Sequence, residues 1–160
     1  VIISYTYIKT RAAYVAKKEM AKVPILRVWM RNIRCLLLDR QNTREALKSI
    51  LSGIEYIKDG TSLVIFPEGT RNKTEDLMLP FKEGSFKMAE KTGCLIVPMA
   101  ISGSADILEA HFPKVKPVHV IVEYGKPIDP KSLDKDTRKK IGSHCQGVIA
   151  EMLEKNNPQI

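Results

Sequence analysis

The sequence predicts an α/β fold with a mixed, largely parallel central sheet flanked by helices. Three observations carry that prediction. An apolar run at 35–38 is followed by a stretch of helical period over 43–58 and then by a second apolar run at 62–66. Strand, helix, strand in that order is a βαβ unit, with parallel strands and a right-handed crossover expected. A further apolar run at 94–101 and a helical period over about 136–155 complete the alternation. No repeat, low-complexity tract or linker interrupts the chain, so residues 1–160 read as one domain.

Each element has a local reason. Residues 11–16 (RAAYVA) make a short strand running into Lys17-Lys18-Glu19. Pro24 suits the first turn of a helix, where its missing N–H is no loss. Leu26, Trp29, Met30 and Ile33 then form one apolar face, and Arg27, Arg31 and Arg34 an adjacent basic one. Such a helix is either an ordinary surface helix packed on a core or one that lies on an anionic membrane surface. The strand at 35–38 ends at Asp39-Arg40. Asn42 can cap the next helix, and Glu45 three residues on can reach back as in a capping box. Leu47, Ile50, Leu51, Ile54 and Ile57 form its apolar stripe, and Gly60 its stop.

The strand at 62–66 halts at Pro67, which has no N–H to donate to a ladder. Residues 72–80 read as a loop. Phe81-Lys82-Glu83-Gly84 leads into a short helix over 85–91, stopped by Gly93. The run 94–101 reads as a third buried strand, and its internal Pro98 implies an edge or a bulge. A turn and short helix over 102–110, a strand over 119–124, a loop over 126–134 and the C-terminal helix follow.

Composition narrows the partners. Apolar residues make up 44% and charged residues 28%, as in globular proteins. The net charge is +8, and residues 9–48 hold eleven Lys and Arg against three acids, so that segment carries the whole excess. Such a field favours an anionic partner: nucleic acid, an anionic membrane or an acidic carrier protein. No run approaches the roughly 18 apolar residues of a membrane-spanning helix, and no signal peptide is visible. Cys35, Cys94 and Cys145 are widely spaced, form no CxxC pair and read as buried reduced thiols. The P-loop, dinucleotide and serine-hydrolase signatures are all absent. A nucleic-acid-binding module fits the charge, but aromatics are only 6% and no RRM, KH or zinc pattern occurs.

The chemistry concentrates beyond the strand at 62–66, in Glu68-Gly69-Thr70-Arg71. Ligands of open α/β sheets bind at the C-terminal ends of strands, and a guanidinium there suits a phosphate or carboxylate. Gly69 lets the backbone turn tightly or approach a ligand. Arg40 stands likewise beyond the strand at 35–38, so parallel strands would bring Arg40 and Arg71 to one edge to share a phosphate monoester. The plainer reading of Arg71 is a charged surface turn, and of Lys17 a solvated lysine.

Six consecutive residues, Phe66-Pro67-Glu68-Gly69-Thr70-Arg71, resemble the FPEGTR signature of the glycerolipid acyltransferases, the lysophosphatidate acyltransferase (PlsC-like) family. Ala16-Lys17-Lys18-Glu19 is similar to that family's A-K-x-E segment. Leu38-Asp39-Arg40 is similar to the end of its second block, with the family glycine falling on Arg34. Phe81-Lys82-Glu83-Gly84 and Val97-Pro98 extend the likeness, which covers residues 10–125.

The resemblance implies a glycerol-3-phosphate acyltransferase-like fold. It implies transfer of a fatty acyl group from acyl-CoA or acyl carrier protein to lysophosphatidate, giving phosphatidate, with no cofactor or metal beyond that co-substrate. It implies substrate-binding roles for Lys17, Arg40, Glu68, Gly69, Thr70 and Arg71, and a peripheral location on the cytoplasmic face of a membrane.

The family's general base is the histidine of H-x-x-x-x-D, needed because an alcohol is a poor nucleophile at neutral pH. Here only His111, His119 and His144 occur, and Lys116, Tyr124 and Ile149 stand five residues after them. The dyad is therefore expected before Val1, the chain to be an N-terminally truncated acyltransferase, and this piece to be inactive. The alternatives are a basic nucleic-acid-binding module or a non-catalytic lipid-binding module.

Overall fold

The computed structural model describes Ser4, Ile8 and residues 10–38, 42–107 and 109–160. They form two compact units, 1–67 with 84–94, and 68–83 with 95–160.

The first unit is built on a three-stranded parallel sheet. Strand β1 (Ala12–Lys17) lies in the middle, with β2 (Leu36–Leu38) on one side and β3 (Ser62–Val64) on the other. The register sets Val15 against Leu36 and Tyr14 against Val64. The two runs expected as a βαβ pair are parallel, but β1 is inserted between them. A crossover helix leaves room for a third strand, and sequence order does not exclude one. Both strands are also shorter than expected: β2 starts one residue later, and β3 ends before Ile65 and Phe66, ahead of Pro67.

Helix α1 (Pro24–Asn32) follows a 3-10 turn over Lys18–Lys22. Its Met30, with Ile33 just beyond it, is buried, and Leu26 and Trp29 are half-buried. The face that carries the tryptophan is thus turned inward, as an ordinary surface helix requires. Helix α2 (Thr43–Lys58) has the expected bounds, and the Asn42 side chain accepts from the N–H groups of Arg44 at 3.1 Å and Glu45 at 3.2 Å. It packs on β2, β3 and the short α3 (Lys87–Thr92), which ends at Gly93. Of its expected apolar stripe, Ile54 is buried but Leu47 and Leu51 are exposed.

Gly53 makes the packing of α2 possible. A Cβ there would stand 3.1 Å from Leu36 Cδ1 and 3.2 Å from Leu63 Cδ1, and would overlap Met88 Sδ. The missing side chain lets the helix approach β2, β3 and α3 together.

The second unit pairs β4 (Met99–Ser102) antiparallel with β5 (Ile121–Tyr124). The run 94–101 is therefore a strand only in its second half. Pro98 is buried at the break, Ile96 bridges to Ile128, and Leu95 and Val97 are exposed. The expected C-terminal helix is two helices, α4 (Lys135–Lys139) and α5 (Ile141–Asn156), broken at Lys140. Helix α5 packs on β4, with Ile141, Cys145 and Met152 buried. Burial pushes the Cys145 thiol up to about 11, and the charge of Glu83 adds to the effect. At the far end of α5, Lys155 Nζ and Asn156 Nδ2 both donate to Glu123 of β5.

Two predictions follow from this packing. Gly53→Val forces the overlap just described and lowers stability by about 1–3 kcal/mol, read as a lower urea midpoint with an unchanged slope. The hydrogen bonds from Lys155 and then Asn156 hold the Glu123 carboxyl below its ordinary value. Its ionised form therefore contributes stability above the unfolded carboxylate range, and that contribution is lost as pH falls through the lowered folded value. Glu123→Gln is expected to unfold much like the parent near pH ~2 and to fall behind it above pH ~5, in urea titrations at each pH.

Candidate functional site

The sequence-predicted site residues fall in both units, and each part has its own geometry. In the first unit the three parallel strands end at a common edge. Lys17 closes β1 there and is exposed, in register with Leu38 of β2. Arg40, two residues further along the chain, lies outside the described residues, and so does its expected juxtaposition with Arg71. Phe66 and Pro67 follow β3 without ladder partners, Phe66 exposed and Pro67 half-buried.

The opposite, N-terminal edge holds a cluster that the sequence did not announce. Arg11 Nη1 stands 3.4 Å and Arg34 Nη1 3.6 Å from Asp59 Oδ2, and the Arg34 guanidinium lies over the Tyr56 ring at 5.9 Å. Beside them a cavity of about 410 Å³ is lined by Thr10, Arg11, Asn32, Arg34 and Thr61, among others. Arg34 has φ 53°, the left-handed region that favours glycine. A non-glycine residue holds this conformation at a cost on the order of 1 kcal/mol.

In the second unit, Glu68, Gly69, Thr70 and Arg71 open a long loop to residue 83. Gly69 has φ 73°, which a side chain would resist, so the turn needs a glycine. Thr70 and Arg71 are exposed. Glu68 is half-buried, and its Oε2 accepts the backbone N–H of Leu79 at 2.8 Å, tying the two ends of the loop. Between them, Asn72 Oδ1 accepts the N–H of Thr74 at 2.9 Å and Asn72 Nδ2 donates to the Asp76 carbonyl at 2.7 Å. That is an Asx-type turn, in which a short amide substitutes for backbone partners.

The loop is also held to α5. The N–H of Phe81 donates to Gln146 Oε1 at 3.0 Å, and Glu83 Oε2 accepts the N–H of Gly142 at 3.1 Å. Gly142 lies in the first turn of α5, where backbone donors lack helical partners and a carboxylate is favoured. A Cβ on Gly142 would come within 2.6 Å of Glu83 Oε1. The F-K-E-G segment thus serves as an anchor. Its signal was visible, but its partners lie 65 and 59 residues away in the chain.

Of the three histidines, His111 is half-buried, and His119 and His144 are exposed. Among the described residues no group of three or more His, Cys, Asp or Glu could hold a metal ion.

With this geometry in place, comparison with known proteins is direct. A family model described as Acyltransferase matches residues 1–102. A 1-acyl-sn-glycerol-3-phosphate acyltransferase of Saccharomyces cerevisiae is 35% identical over 141 residues, 87% of this chain and 46% of the relative. One from Escherichia coli is 29% identical over 91% of this chain and 59% of its own length. The chain therefore spans about half the length of the curated relatives it matches. The crystal structure of the 1-acyl-sn-glycerophosphate acyltransferase PlsC from Thermotoga maritima superposes with a TM-score of 0.73. It is 27% identical, over 91% of this chain and 56% of that one.

The loop geometry makes a prediction. Glu68→Ala removes the acceptor that closes residues 68–79, and is expected to raise amide hydrogen exchange across the loop about tenfold or more. Glu68→Gln keeps an acceptor and should retain most of the protection. Equal exchange in all three proteins would show that the carboxylate does not hold the loop.

Proposed function

The chain belongs to the acyltransferase family, and from that membership we propose that it carries the acceptor-binding part of a 1-acylglycerol-3-phosphate acyltransferase. One observation carries the reading: the unbroken Phe66–Arg71 run stands inside the matched segment, with its glycine in a left-handed turn and its glutamate closing the loop behind it. The reaction transfers an acyl group from a thioester of coenzyme A or acyl carrier protein to the free hydroxyl of lysophosphatidate. The hydroxyl oxygen bonds to the thioester carbon, the C–S bond breaks, and a general base takes the hydroxyl proton and passes it to the departing thiolate, which leaves as the free thiol.

In this proposal Arg71, with Arg40 and Lys17, holds the phosphate monoester of the acceptor. A guanidinium grips such a group with two parallel hydrogen bonds. Gly69 and Thr70 bring backbone and hydroxyl close to the glycerol moiety, and Glu68 keeps the loop in the conformation that presents them. The H-x-x-x-x-D base does not occur in these 160 residues, so they are assigned acceptor binding and not proton transfer. Among the described residues no helix is long and apolar enough to cross a membrane. The proposed location is peripheral, on the anionic cytoplasmic face of a bilayer.

Calorimetric titration with lysophosphatidate below its micellar concentration tests this. Arg71→Ala is expected to weaken binding about tenfold or more, and Arg71→Lys less. Unchanged affinity in Arg71→Ala, or equal affinity for lysophosphatidylcholine, would remove the phosphate-grip reading. Steeply salt-dependent binding to RNA or DNA with none to lysophosphatidate would replace it with a nucleic-acid module.

A further inference from the structure

The outward side of α1 carries exposed apolar side chains beside Asn32 and Arg31, where a surface helix is ordinarily polar. At about 100° per residue, Val28 points away from the buried Met30 and Ile33, with Ile25 on one flank and Arg27 and Arg31 on the other. Ile25 is 83% exposed and Val28 49%; Val23 and Met20, at the entrance to the helix, are 48% and 40% exposed. Single exposed apolar residues are ordinary, but four within nine positions form a patch. Lys22, Arg27 and Arg31 are exposed around it, and among the described residues none of these three is in an ion pair.

Charge decides what this patch fits. Residues 17–31 carry Lys17, Lys18, Lys22, Arg27 and Arg31 against Glu19 alone. A second copy of the chain would set these cations against their own kind. An anionic lipid surface neutralises them and offers an acyl boundary to Ile25 and Val28.

We propose that α1 and the 3-10 turn before it form a lipid-docking surface, in which Ile25 and Val28 enter the bilayer interface while Lys22, Arg27 and Arg31 meet headgroup phosphates. The face that enters is the outer one, away from the buried Met30 and Ile33, and Trp29, four residues after Ile25, borders it. This inference rests on the reading that the protein acts at a membrane, and it names the residues that would bring it there.

Trp29 is the chain's single tryptophan and lies one helical turn from Ile25, so it reports locally on docking. The test is cosedimentation of the chain with phosphatidylcholine vesicles, with and without about one-third phosphatidylglycerol. Quenching of Trp29 by brominated acyl chains is read in parallel. Binding is expected to the anionic vesicles only, with quenching. The pairs Ile25→Ser with Val28→Ser and Arg27→Gln with Arg31→Gln should each lower partitioning about tenfold or more, with thermal melts unchanged.

Either pair binding like the parent, or equal binding of the parent to neutral vesicles, overturns the proposal. So does self-association of the parent that the Ile25→Ser, Val28→Ser pair abolishes, since a second copy would then be the occupant. Monomeric lysophosphatidate should bind both variants as it binds the parent. Loss of that binding in the parent, with vesicle docking intact, defeats the acceptor-binding function and leaves this surface standing.

Discussion

The first unit depends on β1 being shared. Among the described residues every ladder bond of β2 and of β3 is made to this one strand, and both neighbours run in its direction. A parallel strand cannot return through a tight turn, so each step away from β1 requires a long excursion. The excursions are α1 with its preceding 3-10 turn, and α2. Their ends must land on one strand buried on both sides, and Ala13 and Tyr14 are accordingly among the least exposed residues of the chain. The same constraint gives the sheet one C-terminal edge, where Lys17, Leu38 and Val64 leave their strands.

A second economy governs the loop over 68–83. A loop of this length with no regular structure is uncommon in a compact fold unless something holds it. Here polar side chains replace the missing ladders: Glu68 binds Leu79, Asn72 binds Thr74 and Asp76, and Glu83 and Gln146 tie the exit to α5. Arg71 thus sits in a segment whose conformation is fixed before any ligand arrives, which lowers the entropy that a ligand would have to offset.

The elements that the sequence revealed best were those with a complete local signature. The bounds of α2 are its predicted ones because Asn42 and Glu45 mark its start and the turn at Asp59-Gly60 its end. Patterns that depend on distant partners were legible only in part. The apolar run 94–101 names a strand, but only its second half finds one in β5, and Pro98 stands at the break. Nothing near 35–38 or 62–66 announces that β1 lies between them. At the candidate site the motif named the residues proposed to bind and left their contacts hidden: the bond from Glu68 to Leu79, and the anchor from Glu83 to Gly142, join residues with no pattern in common. The lipid-docking face escaped for a different reason. Helical periodicity rewards the inward stripe of Leu26, Trp29, Met30 and Ile33, and Ile25 and Val28 look like noise against it.

Arg34 holds a left-handed backbone at a position where the resembled motif has glycine. A glycine at that turn would sit in the left-handed well at ease, yet would add freedom to the unfolded chain that folding must then remove. The arginine inverts the trade, accepting native strain and restricting the denatured ensemble, while its guanidinium rests between Asp59 and Tyr56. What such a position imposes is a pair of dihedral angles. Pattern searches keyed to the glycine letter will overlook chains that satisfy those torsions by another route.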